Sequence, residues 1–199
     1  MEVGLLYSGG KDSTLAGLLL DGLADVTALC GTFGITDDHD HARAAADAVG
    51  LPAETLDLDP TVAEAAVETI LADGYPRNGI QQVHEHALER AAGREFDAVA
   101  DGTRRDDRVP TVDRSLAQSI EDRHGIAHLA PLAGVGRGAV DALAAAHLDV
   151  ETGPSEEVPK GDYEAELRAL IAARAGAAAV ERIFPEHTQS RVRGRRRNR

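Results

Sequence analysis

The segment that most constrains the fold is an apolar run that ends in a glycine turn close to the N-terminus. Residues 3–7 form the run, which has the length of a buried strand, and Ser8-Gly9-Gly10 follows it directly. Leucines at helical spacing between residues 15 and 23 then predict a helix with one apolar face. A strand, a glycine turn and a helix N-terminus in this order present backbone N–H groups and a positive dipole end to an anion. We therefore expect this turn to bind phosphate.

Side chains around the turn also suit phosphate. Ser8, Ser13 and Thr14 supply hydroxyl donors, and Lys11 supplies a compact positive charge. The segment is not a Walker A loop, because Asp12 follows the lysine where that motif has Ser or Thr. The Gly-x-Gly-x-x-Gly pattern of dinucleotide-binding proteins does not follow the strand either.

The run Ser-Gly-Gly-Lys-Asp-Ser at residues 8–13 instead resembles the PP-loop of the N-type ATP pyrophosphatases. That superfamily includes the GMP, NAD and asparagine synthetases and the tRNA-thiolating and lysidine-forming enzymes. The resemblance implies that ATP is cleaved between its α and β phosphates, and that the loop holds the leaving pyrophosphate. It also implies catalytic roles for Lys11 and Asp12, with Asp12 as a candidate ligand of Mg²⁺.

A second motif follows the fourth predicted strand. Asp101-Gly102-Thr103 with Asp106 and Asp107 resembles the Gly-Thr-x-x-Asp-Asp-like loop that lines the nucleotide pocket of the same superfamily. In that role Gly102 and Thr103 bind the nucleotide, and Asp106 or Asp107 offers a hard oxygen ligand to Mg²⁺. The alternative is an acidic helix start, because aspartates favour the first helical turn.

Two further segments extend the predicted site. Thr32-Phe33-Gly34 ends the second predicted strand, where related enzymes hold adenine or ribose with backbone groups, although an ordinary turn explains it equally well. Lys160 lies on a Pro-Lys-Gly turn, and some PP-loop enzymes bring a basic residue from a C-terminal segment onto the phosphates. Lys11 and Lys160 are the two lysines of the chain, which favours a catalytic role for Lys160 over a solvated turn.

Cysteine and histidine residues carry weaker signals. Cys30 is the single cysteine, so an internal disulfide is excluded, and we interpret it as a core residue of a cytoplasmic protein. The acidic and histidine-rich run at residues 37–41 and the pair His84 and His86 resemble metal clusters. Histidines two positions apart on a helix point in different directions, so neither group is predicted to share an ion.

The rest of the chain alternates between predicted strands and helices, which implies a parallel sheet with right-handed crossovers. The predicted fold is a Rossmann-like, doubly wound, five-stranded α/β sheet in the order 3-2-1-4-5 with helices on both faces. Its ligand is expected beyond the carboxyl ends of the strands. The predicted strands span 3–7, 24–31, 53–57, 96–100 and 126–132. The predicted helices after the first span 39–49, 60–72, 81–92, 111–124 and 137–147.

We expect a PP-loop domain over residues 1–150 and a C-terminal helical extension over 151–199, with a proline-containing loop and a helix at 162–175. Residues 191–199 form an arginine-rich tail that has six arginines and no apolar periodicity for packing. Such a tail predicts contact with nucleic acid. The alternative is that it folds onto the acidic body of the protein.

Composition narrows the class of protein. The chain has 34 acidic and 21 basic residues and a net charge of −13, which with the scarcity of lysine suggests adaptation to salt or, alternatively, codon bias. It has no run of 18 apolar residues, so neither a membrane span nor a secretory signal is expected.

The predicted activity is adenylation, in which a substrate oxygen attacks the α-phosphate of ATP and a nitrogen or sulfur nucleophile then displaces AMP. Modification of a tRNA base is the first prediction. An amide-forming ligase of the GMP, NAD or asparagine synthetase type is the second, and a non-catalytic ATP-binding subunit is the third. The predicted ligands are ATP and Mg²⁺, and the partners considered are tRNA, a sulfur- or ammonia-donor protein and a second copy of the chain.

Overall fold

The computed structural model describes residues 1–154, 158–159, 161–184 and 188–196. Within these ranges the chain forms a five-stranded parallel sheet in the order β3-β2-β1-β4-β5 and a two-stranded antiparallel sheet of β6 and β7. The strands are β1 Glu2–Leu6, β2 Asp25–Thr32, β3 Ala53–Asp57, β4 Ala98–Ala100, β5 Ala127–Leu129, β6 Leu148–Pro154 and β7 Thr188–Arg195. The helices are α1 Lys11–Asp21, α2 His39–Val49, α3 Pro60–Asp73, α4 Arg77–Ala92, α5 Arg114–His124, α6 Arg137–His147, α7 Tyr163–Ala175 and α8 Ala177–Ile183. None of these helices is long and apolar enough to cross a membrane.

Helices cover both faces of the parallel sheet, as the sequence predicts. α1, α2 and α6 pack on one face, in a core that includes Val3 and Leu5 of β1. The other face carries α3, α4, α5, α7 and α8, in a core that includes Leu29 and Val99. Because β1 is central and covered on both sides, its sequence is continuously apolar from Val3 onward instead of alternating. The predicted fold class and strand order are confirmed.

Element boundaries follow the sequence most closely where a cap or a proline marks them. His39–Val49, Ala53–Asp57 and Arg137–His147 begin and end as predicted. The first of these helices ends at Gly50, whose φ of 77° lies in the left-handed region typical of a helix C-terminus. Strands β4 and β5 are three residues long, shorter than predicted, because apolar neighbours such as Phe96 pack in the core without joining the ladder.

The C-terminal part of the chain differs most from the prediction. The loop expected after residue 150 is instead part of strand β6, and the tail expected to lack packing forms β7 up to Arg195. The two strands pair antiparallel, and Val192 of β7 is 1% exposed in the core that also contains Leu148. One valine among arginines gives no detectable periodicity, so local pattern alone missed this strand. Residues 197–199 of the predicted tail lie outside the described residues.

Several contacts tie β7 to the N-terminal half of the chain. The backbone N–H of Val192 donates to the carbonyl oxygen of Gly9 at 2.9 Å. The Arg195 guanidinium donates to the carbonyl oxygen of Val49 at 2.7 Å and to the carboxylate of Asp21 at 3.3 Å. Arg193 forms an ion pair with Glu151 on β6. Two arginines of the tail therefore neutralise acidic residues of the body, in line with the alternative interpretation of the tail.

The packing of β7 predicts a stability effect. The change Val192→Ala should lower the free energy of unfolding by about 2 kcal/mol, because it removes two buried methyl groups and leaves a cavity. Val62→Ala on α3 is the matched control, since Val62 is only partly buried and should cost less. Urea denaturation of both variants measures the difference, and a Val192→Ala protein as stable as the wild type would contradict this packing.

Candidate active site

The glycine turn after β1 leads directly into α1, as the sequence predicts. Gly10 is the N-cap of α1 and has no side chain to cap it, and the Ser190 hydroxyl accepts from the N–H of Lys11, so the later N–H groups of the first turn are the ones that can be offered to an anion. Gly9 has a φ of 76°, in the left-handed region that disfavours other residues. A Cβ atom at Gly9 would also lie 3.1 Å from the Cα of Ala42 on α2. The turn therefore depends on glycine at this position.

Two serine hydroxyls face each other across the turn. The Oγ atoms of Ser8 and Ser13 are 3.3 Å apart, and both residues line a cavity. The Ser13 hydroxyl also donates to the carbonyl oxygen of Gly10 at 3.2 Å. Thr14 donates to the same carbonyl oxygen at 2.8 Å and lies 2.8 Å from the hydroxyl of Tyr7. Thr14 thus holds the turn from within the core, whereas Ser8 and Ser13 remain at the cavity surface.

The cavity has a volume of about 360 Å³ and opens beyond the carboxyl ends of β1, β2 and β4. This edge of a doubly wound sheet is where ligands bind, and the volume falls in the range of small-molecule pockets. Its polar lining includes Ser8, Asp12, Ser13, Asp101, Thr103 and Asp107, and its apolar lining includes Leu6, Leu29, Ile80, Ala87 and Phe184.

The loop after β4 presses against the start of α1. A Cβ atom at Gly102 would lie 2.8 Å from both the Cα and the backbone nitrogen of Ser13, closer than such atoms approach. The buried carboxylate of Asp101 fixes this loop, because it accepts from the N–H of Thr103 at 2.7 Å and from the imidazole of His128 at 2.8 Å. Burial raises the pKa of Asp101, but the hydrogen bonds from His128 and Thr103 outweigh it and hold the pKa below its usual value.

Arg104 connects this loop to α1 electrostatically. Its guanidinium donates to the carboxylate of Asp107 and lies 3.6 Å from the carboxylate of Asp12. Burial lowers the pKa of Arg104, but the two carboxylates outweigh this and raise it above its usual value. The side chain is 8% exposed, and its Nη1 atom has no hydrogen-bond partner among the residues described. Arg104 was not predicted as a site residue from the sequence. Its position between Thr103 and Asp107, two predicted site residues, was the signal that could have identified it.

Lys11 lies beside the cavity and not in its lining as far as the described residues define it. Its Nζ atom is 3.3 Å from the carboxylate of Asp12 and 3.6 Å from the carboxylate of Asp141 on α6. The backbone N–H of Lys11 donates to the hydroxyl of Ser190 on β7 at 3.3 Å. Arg104, and not Lys11, is therefore the cation next to both Asp12 and Asp107.

The two aspartates predicted as alternative Mg²⁺ ligands have different positions. Asp106 accepts from the N–H of Arg137 at 2.9 Å and caps α6, and this bond and a second one from Arg105 hold the pKa of Asp106 below its usual value. Asp107 lines the cavity together with Asp12. Of the two alternatives, Asp107 is therefore the one beside Asp12.

The carboxylates of the described residues suit Mg²⁺ that is bound to a nucleotide better than Mg²⁺ on its own. The described residues contain no group of three or more His, Cys, Asp or Glu side chains able to hold a metal ion on their own. Mg²⁺ bound to phosphates needs only one or two carboxylates. Asp12 and Asp107 supply two, and apart from its ion pair with Lys11 the buried Oδ1 atom of Asp12 has no partner in the described ranges. The donor set fits Mg²⁺ held jointly with phosphate oxygens.

A carboxylate of the chain itself occupies the turn after β2. Glu166 on α7 is 2% exposed and accepts from the N–H of Phe33 at 2.8 Å and of Ile35 at 2.9 Å. It also accepts from the hydroxyl of Thr32 at 3.0 Å. Glu166 therefore fixes this turn to α7, and sequence reasoning missed it because the partners are 134 residues apart.

The nucleotide-binding role of Thr32, Phe33 and Gly34 stays a prediction, but two of their backbone N–H groups already have partners within the protein. The N–H of Phe33 is engaged by α7, and the N–H of Gly34 donates to the hydroxyl of Thr32 at 2.9 Å. At the end of β2 the cavity is lined instead by Leu29 and Gly31.

A histidine and a tyrosine meet at the α4 side of the cavity. His84 of α4 is 5% exposed, and its Nδ1 atom lies 2.7 Å from the hydroxyl of Tyr163 on α7. Burial lowers the pKa of His84 and raises the pKa of Tyr163, so both are neutral near pH 7. From the sequence, His84 was interpreted only as one member of an unsuitable metal-binding pair. The contact between His84 and Tyr163 joins residues 79 positions apart and has no local sequence signal.

The remaining predicted residues are Lys160 and Cys30. Lys160 lies outside the described residues, although Gly161 next to it lines the cavity. Cys30 is fully buried in β2, and burial raises the pKa of its thiol to about 12. The prediction that Cys30 is a packing residue is confirmed.

Comparison with known proteins places the chain in a family. Residues 1–194 match the model of a family of unknown function, DUF7411. The chain belongs to this family.

Two relatives match this DUF7411 protein over nearly its whole length. An uncharacterized protein of Methanocaldococcus jannaschii is 37% identical over 195 residues, which cover 98% of this chain and 96% of the relative. A crystal structure described as a predicted subunit of tRNA methyltransferase from the same organism has a TM-score of 0.90 and 36% identity, covering 99% of this chain and 98% of the other. The U34-tRNA thiolase NcsA of Methanococcus maripaludis, with its 4Fe–4S cluster, has a TM-score of 0.47 and 18% identity over 73% of this chain and 56% of the thiolase.

The buried carboxylate on α7 of this DUF7411 protein predicts a large effect of one substitution. Glu166→Gln should lower the free energy of unfolding by about 3 kcal/mol, because an amide cannot accept from all the buried donors that the carboxylate satisfies. Glu181→Gln on α8 is the control, since Glu181 is exposed. Thermal and urea unfolding of both variants measure the effect, and equal stability of the two would contradict the role of Glu166.

Proposed function

We propose that this protein is a PP-loop-type ATP pyrophosphatase that adenylates a substrate in tRNA modification. One observation carries the proposal: the loop of residues 8–13 places the N-terminus of α1 and the Ser8 and Ser13 hydroxyls at a cavity that is also lined by Asp12 and Asp107. Hydroxyl and N–H donors at a helix N-terminus suit phosphate oxygens. Carboxylates in the same cavity suit a nucleotide only when a cation accompanies it.

Charge balance supports a requirement for Mg²⁺. The acidic residues of the lining are Asp12, Asp101, Asp107, Asp162 and Glu164, and a triphosphate adds further negative charge. Arg104 compensates part of this charge, because it is buried next to two of the carboxylates. Mg²⁺ held by Asp12 and Asp107 would supply the remaining positive charge and stabilise the pyrophosphate as it leaves.

The proposed reaction begins with attack of a substrate oxygen on the α-phosphorus of ATP. The bond from that phosphorus to the oxygen bridging to the β-phosphate breaks, and its electron pair leaves with pyrophosphate. Donors fixed before the reaction stabilise such developing charge most effectively. Ser8, Ser13 and the N–H groups at the start of α1 are fixed in this way, because Gly102 and β7 press on them from two sides. A nitrogen or sulfur nucleophile then displaces AMP from the adenylated substrate.

The tRNA part of the proposal is supported by a relative. A structure that is 36% identical over 99% of this chain is described as a predicted subunit of a tRNA methyltransferase. The description of that relative as a subunit also supports a protein partner for this chain. Arg193 and Arg195 of β7 already form ion pairs with Glu151 and Asp21. Other arginines of the tail would therefore contact RNA.

Product analysis tests this function. Incubation with Mg²⁺, tRNA and ATP labelled at the α-phosphate should yield AMP and pyrophosphate, at a rate that depends on tRNA. Ser13→Ala should lower this rate by about 10- to 100-fold, because a hydrogen bond to a charged phosphate is lost. Ser115→Ala on α5 is the control, since Ser115 is exposed.

The other products discriminate between the alternatives. Formation of ADP and phosphate would contradict the proposed bond cleavage. Binding of ATP without any AMP formation would leave the chain as an ATP-binding subunit. AMP formation that depends on a small carboxylic acid and ammonia, and not on tRNA, would favour the amide-forming ligase.

A further inference from the structure

The cavity-lining residues of α4 are apolar except for His84, which contacts Tyr163 of α7. Ile80, His84 and Ala87 lie one helical turn apart on the same face of α4, and all three line the cavity. The apolar side chains around them belong to one core cluster with Leu29 and Phe184. Apolar walls with a few fixed polar groups are typical of sites for small ring ligands.

The hydrogen bond between His84 and Tyr163 determines which nitrogen of the imidazole carries the proton. A buried phenol needs an acceptor for its O–H, and the Nδ1 atom of His84, at 2.7 Å, is the partner that the structure gives Tyr163. If Nδ1 accepts, the neutral imidazole carries its proton on Nε2. The opposite tautomer would leave both the phenolic proton and Nε2 without partners. The N–H donor of His84 is therefore Nε2.

This donor is unsatisfied in the protein. The Nε2 atom of His84 is buried and has no hydrogen-bond partner among the described residues, although the side chain lines the cavity. A buried unsatisfied donor costs about 1–3 kcal/mol, so its presence at a cavity calls for an acceptor on a ligand.

The charges nearby disfavour an anionic ligand at this position. The carboxylate of Asp101 lies close enough to His84 and Tyr163 to interact electrostatically with both. His84 itself is uncharged, so it cannot compensate a carboxylate or phosphate. A neutral acceptor in a flat ring matches the apolar residues of α4 and the unsatisfied N–H group of His84.

We propose that the α4 side of the cavity is a nucleobase subsite, in which the Nε2–H group of His84 donates to a ring nitrogen or carbonyl oxygen of the base. The inference rests on the proposed function, because both ATP and tRNA bring such a base to this cavity. The base is either the adenine of ATP or the tRNA base that is modified. Tyr163 is a positioning residue, since it acts through the tautomer of His84.

Calorimetric titration with adenosine tests whether the subsite binds the adenine of ATP. Titration with Mg²⁺-pyrophosphate provides a reference for phosphate binding. Adenosine carries the base without phosphates, whereas pyrophosphate carries phosphates without a base. His84→Phe should raise the Kd of adenosine about tenfold and leave the Kd of pyrophosphate unchanged. His84→Gln retains an N–H donor and should recover most of the affinity, and Tyr163→Phe should cause a smaller loss. His86→Phe on the same helix is the control, because His86 accepts from the backbone of Asp59.

The second arm measures the KM for tRNA in AMP formation at saturating ATP. If His84→Phe leaves the Kd of adenosine unchanged but raises the KM for tRNA about tenfold, the subsite binds the tRNA base. Values within twofold of the wild type in both arms, with melting temperature preserved, would overturn the nucleobase subsite. Absence of pyrophosphate binding by the wild type would contradict the proposed function instead, and the adenosine titration would still report on His84.

Discussion

The packing of two chain segments against the start of α1 is the constraint on which the candidate site depends. On one side the loop after β4 approaches so closely that only glycine fits at position 102, against the backbone of Ser13. On the other side β7 donates a backbone hydrogen bond to Gly9 and places the Ser190 hydroxyl on the N–H of Lys11. The turn that precedes α1 is therefore fixed by residues from the middle and the end of the chain. A phosphate site built from N–H groups needs such fixing, because donors that reorganise stabilise charge less.

Arg104 compensates the negative charge of the carboxylates beside this turn. Asp12 lies on the first turn of α1 and Asp107 on the loop after β4, and the guanidinium of Arg104 lies between them. Without it, two carboxylates at the mouth of the same cavity would repel each other and any phosphate. Arg104 donates to both oxygen atoms of the Asp107 carboxylate, whereas the Oδ1 atom of Asp12 has no hydrogen-bond partner among the described residues. Because the chain is acidic, an anionic ligand would need cations such as Arg104 beside the carboxylates to compensate their negative charge.

Local sequence patterns predicted the parallel sheet well, because strand, turn and cap signals lie within a few residues of one another. The glycine turn before α1 and the αL glycine after α2 are signals of this type. Contacts between distant residues were missed. Glu166 satisfies a turn 134 residues earlier, and Tyr163 meets His84 across 79 residues, so neither pairing has a local signature. Val192 gave no periodicity, yet it brings an arginine-rich strand into the core.

A crystal structure with Mg²⁺ and α,β-methylene-ATP, which cannot be cleaved at the bond in question, tests the central claim most directly. The account predicts that the β- and γ-phosphates lie within hydrogen-bond distance of the hydroxyls of Ser8 and Ser13, with Mg²⁺ between the phosphates and the carboxylates of Asp12 and Asp107. Phosphates bound elsewhere, or a nucleotide that leaves the residue 8–13 loop empty, would contradict it.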